Sequence, residues 1–137
     1  MRTTILTVVL FIAIFSASAQ EKAKINFDNK KHDFGKIYQN KDSIAVATFY
    51  FENVGNTPLI ILKVTTTCGC TVSEWTKSPI AKNEKGMVKI TFHSKGITGK
   101  FSKSIYVKSN AENDVVILKV EGEVFIKKEK SIFDIFN

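Results

Sequence analysis

Beyond its first nineteen residues the sequence has no apolar run long enough to span a bilayer, no stretch with a sustained helical period and no internal repeat. It has no Gly-rich phosphate loop and no nucleophile elbow. These absences exclude helical membrane proteins, helical bundles and the commonest nucleotide-binding and hydrolase frameworks. Paired carboxylates are missing too, because Asp28, Asp33, Asp42, Glu52 and Glu74 each read as surface or turn positions. No catalytic residue is assigned, and the chain is not read as an enzyme. Cysteine is scarce: the 137 residues contain two, Cys68 and Cys70. Cysteines that close together cannot form the widely spaced bridge that joins the sheets of an antibody domain.

The first residues follow a different logic from the rest. Arg2 gives a positive start, Ile5 to Phe15 is apolar apart from Thr7, and Ser16-Ala17-Ser18-Ala19 supplies small residues in an A-x-A arrangement. This is the pattern of a secretory signal peptide over 1–19, cleaved after Ala19. The apolar run falls short of the roughly 20 residues a membrane span needs. Gln20 stands where a lipid anchor would require cysteine. The mature chain is therefore expected in the periplasm or secreted, not spanning the membrane after cleavage. Its length suits one domain.

The chain carries a formal net charge of +7. Its lysines are scattered along outward strand positions and near both ends, so the balance reads as a soluble surface and no nucleic-acid partner is expected. An anionic envelope surface stays open as a weak partner.

Alternation with a period of two dominates the mature chain. Val88, Ile90 and Phe92 alternate with Lys89, Thr91 and His93; Ala45, Ala47, Phe49 and Phe51 alternate with Thr48, Tyr50 and Glu52. Phe101, Ile105 and Val107 form another apolar row, interrupted by Lys103, and Val116, Leu118, Val120 and Val124 form a fourth. Leu59 to Val64 is a short apolar run, and Phe27 and Phe34 suggest one or two short strands near the start. Turn chemistry separates the runs at Asn53 to Pro58, Asn83 to Gly86, Lys95 to Gly99 and Asn110 to Asp114, with Gly and Asn able to take positive φ. About seven strands with this spacing predict an all-β, immunoglobulin-like two-sheet antiparallel sandwich over 20–126. The remainder, 127–137, is a charged and then apolar tail, read as a loose end. Lys103 and the outward lysines read as guards against strand pairing between molecules, and so predict a monomer.

Cys68 and Cys70 lie in Thr65-Thr66-Thr67-Cys68-Gly69-Cys70-Thr71, after the Leu59 to Val64 run. Three readings are open. The first is a local disulfide that stiffens a loop. Closing so short a loop gains at most roughly 1–2 kcal/mol, and the Cα atoms of extended residues two apart stand about 6.5–7 Å from each other, at the limit for a sulfur–sulfur bond. The second is thiol redox exchange, which ordinarily uses a helix N-terminus or nearby positive charge to stabilise a thiolate. The third is capture of a soft metal, Cu(I), by Cys68 and Cys70. His32, His93 and Met87 have no ligand spacing to the pair, so no metal site or cofactor is assigned. Trp75 reads first as a partly buried packing anchor; the alternative is that Trp75 and Thr71 form an interaction surface beside the pair, on the same end loop.

These elements together resemble a known family. His32-Asp33-Phe34-Gly35-Lys36-Ile37, Phe49 to Leu59, Thr67 to Thr71, Lys95-Gly96 to Phe101 and Ser109-Asn110 occur in the order seen in the secreted bacterial family called domain of unknown function 1573. The resemblance covers about Phe27 to Val124. Its Asn-x-Gly-x-x-Pro-Leu stretch is shared more loosely with immunoglobulin-like domains of the major sperm protein and Hydin type. The resemblance implies the sandwich, export and a role in contacts with an unknown protein or envelope component. It implies no substrate.

Overall fold

Strands form where apolar and polar residues alternate, and turns form where Gly, Asn and Pro interrupt them. The computed structural model of the chain describes residues 21–39, 44–69 and 71–126. The expected leader over 1–19, the tail over 127–137 and Cys70 lie outside the described residues. Eight strands appear: β1 (Ile25–Phe27), β2 (Lys31–Gln39), β3 (Ile44–Asn53), β4 (Ile61–Thr66), β5 (Thr71–Trp75), β6 (Lys85–His93), β7 (Gly99–Ser109) and β8 (Val115–Ile126). They build two four-stranded sheets, ordered β1-β3-β6-β5 and β2-β8-β7-β4. The described residues contain no helix.

The apolar rows meet between the sheets. Phe51, Val88, Ile90, Phe92, Leu118 and Val120 are completely buried, and Ala47, Phe49, Ile105 and Val107 nearly so. Phe27 packs on Phe51 with ring centroids 5.1 Å apart, and Phe92 stacks on Phe101 at 4.2 Å. Burial of each such side chain contributes about 1.5–3 kcal/mol, so this row pattern is the main driving force for the sandwich.

The structure corrects the sequence expectations in three places. The strand count is eight because Thr71–Trp75, expected as part of an end loop, pairs in regular register with β6, from Thr71 opposite Phe92 to Trp75 opposite Val88. The sandwich is not wholly antiparallel, since β2 runs parallel to β8. A short link from β1, at the edge of the first sheet, delivers β2 to the edge of the second, so no long crossover is needed. Lys103 guards no edge: β7 lies between β8 and β4, and Lys103 stands opposite Val120 in the inner row, half-buried. The edges are blunted otherwise. β1 is three residues long, and β2 and β4 carry register shifts at Asp33/Lys36 and Ile61/Lys63.

One end of the sandwich is tied together by asparagine. Asn53 is completely buried. Its Nδ2 donates to the carbonyls of Thr57 (2.8 Å) and Ile80 (2.9 Å), while its Oδ1 accepts from the Gly55 N–H (3.0 Å) and the Lys24 N–H (3.4 Å). Its backbone N–H donates to Glu84 and its carbonyl accepts from Asn83. Leu59 and Ile80, both buried, exchange backbone hydrogen bonds just beyond it. Asn110 and Asn113 repeat the device on the β7–β8 turn, Asn110 bridging to Pro58 and Ile60 and Asn113 to Ile25. Gly55 has a different role from the positive φ expected of it, because its φ is not among the positive ones. A Cβ there would stand 2.4 Å from the Lys22 carbonyl oxygen and the Lys24 nitrogen, so only glycine lets the two segments touch. Positive φ falls at Asn83, Gly96 and Gly99, within turns where it was expected, and at Gly35.

Replacing Asn53 with Ala removes four hydrogen bonds to the backbone, two of them buried, and the variant should lose about 2–4 kcal/mol in urea or guanidinium unfolding. Gly55→Ala should lose at least as much. Asn56→Ala, at an exposed neighbour in the same turn, should stay within about 0.5 kcal/mol of the parent. Equal effects at all three positions would contradict the buried-amide account.

Candidate functional site

The cysteine-bearing segment is the strand crossover from β4 to β5. β4 is an edge of the second sheet and β5 an edge of the first, so the link between them crosses one side of the sandwich, as residues 28–30 cross the other between β1 and β2. The run of threonines explains how the chain leaves the sheet. The Thr67 N–H donates to the Ser104 carbonyl (3.2 Å), and the Ser104 N–H returns to Thr67 Oγ1 (3.4 Å), extending the pairing with β7 beyond β4. Thr66 Oγ1 then donates to the Cys68 carbonyl at 3.0 Å, folding the turn back on itself. Cys68 is half-buried, with Sγ 3.5 Å from Thr71 Oγ1. The pairing expected between Cys68 and Cys70 falls on a residue outside those described.

Thr71 and Trp75 occupy the same face of β5, two pleats apart. Thr71 is buried at 9% exposure, so it supports the turn from within rather than presenting itself to solvent. Trp75 is half-buried against the main core. Its Nε1 is buried and has no hydrogen-bond partner among the described residues, a cost of about 1–3 kcal/mol that the ring's packing offsets. The Lys77 ammonium lies 3.0 Å from the ring centroid. Thr76 finishes the strand, its N–H donating to the Met87 carbonyl and its Oγ1 accepting from the Met87 N–H. Sequence reasoning passed over both Lys77 and Thr76. Their only signal was adjacency to Trp75, because a cation over an aromatic face has no fixed spacing along a chain.

The other residues considered as ligands stand elsewhere. His32 lies edge-on to Phe34 at 4.8 Å and near Phe49 at 6.5 Å, as a packing residue of β2. His93 is exposed at the end of β6 and Met87 is half-buried near its start. Among the described residues no three His, Cys, Asp or Glu side chains gather in a metal-binding group.

The His32-Asp33-Phe34-Gly35 motif builds a bulge in edge strand β2. Asp33 Oδ1 accepts from the Gly35 N–H at 2.8 Å, and Gly35 sits at φ 65°. The bulge turns Phe34 inward, where it packs against both apolar clusters and stacks 6.3 Å from Phe92. Where β2 departs from β8, an open hollow of about 610 Å³ forms, lined by Asp33, Lys36, Lys100, Phe101, Ser102 and Glu123 among others. Its lining mixes both signs of charge. Beside it Lys31 and Glu121 form an ion pair at 2.6 Å, and the hydrogen bond and charge of Glu121 hold the Lys31 ammonium above its ordinary range.

Two sheets with these edges and crossovers define an immunoglobulin-like sandwich. The chain belongs to the family described as "Protein of unknown function (DUF1573)", whose model matches residues 25–124. A protein of unknown function from Porphyromonas gingivalis W83 is similar in structure, with TM-score 0.66 and 17% identity over 79% of this chain. This chain spans only 50% of that protein's length. The ASH/PapD-like domain 7 of human CEP192 is similar with TM-score 0.64 and 12% identity, over 82% of this chain and 93% of that one. The VesB protease of Vibrio cholerae matches with TM-score 0.54 and 9% identity, over 84% of this chain but only 34% of the protease. At such identities the likeness concerns the fold alone. No curated protein matches the chain.

The cation over Trp75 gives a direct test of the β5 geometry. Lys77→Ala should lower stability by about 0.5–1 kcal/mol and shift the emission of this only tryptophan, whereas Lys95→Ala on the exposed β6–β7 turn should change neither. An unchanged emission spectrum in Lys77→Ala would mean that the ammonium does not sit on the ring.

Proposed function

We propose that this chain is an exported, non-enzymatic binding module of the bacterial envelope. In this reading it contacts a protein or envelope component through the side of the sandwich closed by the β4–β5 crossover. Membership of a family of unknown function and a PapD-like sandwich are consistent with a module of this kind. The observation that carries the reading is the division of labour among the family motifs. Asn53, Gly55, Leu59, Asp33, Phe34 and Gly35 all serve strand ends, bulges and core. Cys68 and Thr71 instead flank the crossing between two sheet edges, at one end of the strand that carries the cation-capped ring of Trp75. Loops and edges held by a rigid sandwich are where such folds carry function.

Within this reading Cys68 and Cys70 form a local disulfide that stiffens the crossover, and the protein acts as a monomer in the periplasm or outside the cell. Intact mass after alkylation without reductant should show no added groups. Two added groups, with a thiolate-to-copper absorption band on titration with Cu(I), would instead assign the pair to thiol or copper chemistry. The double variant Cys68→Ser/Cys70→Ser should remain folded and lose at most about 2 kcal/mol, since a loop this short gains little from closure. A photo-cross-linker at Glu74, exposed on β5, should yield a discrete adduct in cells, and one at Glu112 on the β7–β8 turn should not. Equal labelling at both positions, or none at either, would count against the crossover side as the contact surface.

A further inference from the structure

The outer face of the second sheet carries a second surface that neither the fold nor the crossover uses. Side chains from β4, β7 and β8 stand in register there. Lys63, Lys108 and Val115 form one cross-strand row, Thr65, Tyr106 and Ile117 the next, and Ser104, Lys119 and Lys31 the third, with Lys63 placed by the register shift in β4. The middle of this area is apolar and open to solvent: Leu62 is 55% exposed, Tyr106 40%, Val115 45% and Ile117 54%. Tyr106, Val115 and Ile117 on two neighbouring strands make a contiguous patch, with Leu62 exposed on the irregular part of β4 beside Lys63, where singly scattered residues would need no explanation.

The charged side chains within these rows are all lysines. Lys63, Lys108 and Lys119 are exposed, and none of them takes part in either ion pair found among the described residues. The carboxylates nearest in the strand registers are Glu121, which pairs with Lys31, and Asp114 beside Val115. The same face becomes mixed in sign farther along β8, where Asp33, Lys36, Lys100 and Glu123 line the hollow. The cationic, apolar area therefore covers the half of the sheet nearer the asparagine-tied end.

We infer that this half-face docks onto an anionic lipid bilayer surface, an inference that rests on the envelope-module reading and gives the module a place to sit. Charge complementarity selects an anionic partner, and the shape selects a planar one. The patch is a sheet face rather than a groove, and the hollow lies on the other half. Exposed aliphatic and tyrosine side chains ringed by lysines suit the headgroup boundary, where apolar tips enter the acyl edge and ammonium groups reach phosphates. Each lysine near such a surface strengthens binding about fivefold, so three unpaired lysines give roughly a hundredfold preference for anionic over neutral lipid.

Co-sedimentation of the mature chain tests this, using large unilamellar vesicles of phosphatidylcholine alone or mixed with phosphatidylglycerol. The chain should sediment with the mixed vesicles at low salt, release as salt rises, and ignore the neutral ones. Lys63→Glu/Lys108→Glu/Lys119→Glu should abolish binding, and the milder Lys→Gln triple should weaken it about a hundredfold. Lys22→Glu/Lys85→Glu/Lys95→Glu, with the same change in net charge on other faces, should bind within a few-fold of the parent. Ile117→Ser/Tyr106→Ser should weaken binding without changing its salt dependence. Equal loss in both charge-reversed triples, or no binding to the mixed vesicles, would overturn the inference. Binding to poly-glutamate but not to vesicles would also overturn it, by assigning the face to an acidic protein. A failure here with a discrete adduct at Glu74 would leave the module reading standing.

Discussion

The side-chain amide of Asn53 is buried without access to water, and each of its polar atoms must therefore find a partner in the protein. It does so by joining its own turn at Gly55 and Thr57 to two segments distant in sequence, the strand approach at Lys24 and the bridge at Ile80. An apolar residue could fill this volume but could not fix how these backbones align. The amide makes one alignment satisfied and all others costly, since an unpaired buried donor or acceptor forfeits about 1–3 kcal/mol. Gly55 completes the device by allowing the approach of Lys22 and Lys24 to which the amide binds. The rest of the sandwich follows: with this end fixed, β3 can enter register with β6 from Glu52 opposite Lys85 onward, and β4 can leave from the Leu59–Ile80 bridge.

The two sides of the sandwich are closed by chain crossings, and this has consequences for function. At one side β1 passes to β2 through 28–30; at the other β4 passes to β5. A crossing between sheet edges occupies space that a foreign strand would otherwise enter. On the first side the aspartate–glycine bulge of β2 adds to this protection. On the second side protection is slighter, because β5 is short but regular in register. That side carries Cys68 and Trp75. The outer sheet faces differ as well: the one with Tyr106 and Ile117 combines apolar exposure with unpaired lysines, while the opposite one carries exposed Ile44, Val46 and Tyr50 on β3 and the Lys89–Glu74 pair between β6 and the edge strand β5.

Most of the architecture was legible because burial here is alternate and strict. The rows Val88–Ile90–Phe92, Ala47–Phe49–Phe51 and Val116–Leu118–Val120 could be read directly as inner faces. What escaped depended on neighbours that sequence order does not reveal. β5 contains only Val72 and Trp75 as strongly apolar residues, and it becomes a strand through pairing with β6 rather than through its own pattern. The parallel course of β2 follows from the sheet it joins, and the central position of β7 removed the edge role expected of Lys103. At the candidate site the cysteine element and Trp75 were visible as residue types. The burial of Thr71, the capping by Lys77 and the half-face around Tyr106 were not, because each arises where separate strands come side by side.

The central claim is that the Asn53 knot is part of the rigid core although it lies at a chain turn. Native-state hydrogen exchange followed residue by residue tests it most directly. The backbone N–H groups of Gly55, Leu59 and Ile80 should exchange only through global unfolding, with protection matching that of Ile90 and Leu118 in the sheet centres. Exchange at those three positions through small local openings, while the sheet centres stay protected, would show that the turn frays independently and would contradict the account.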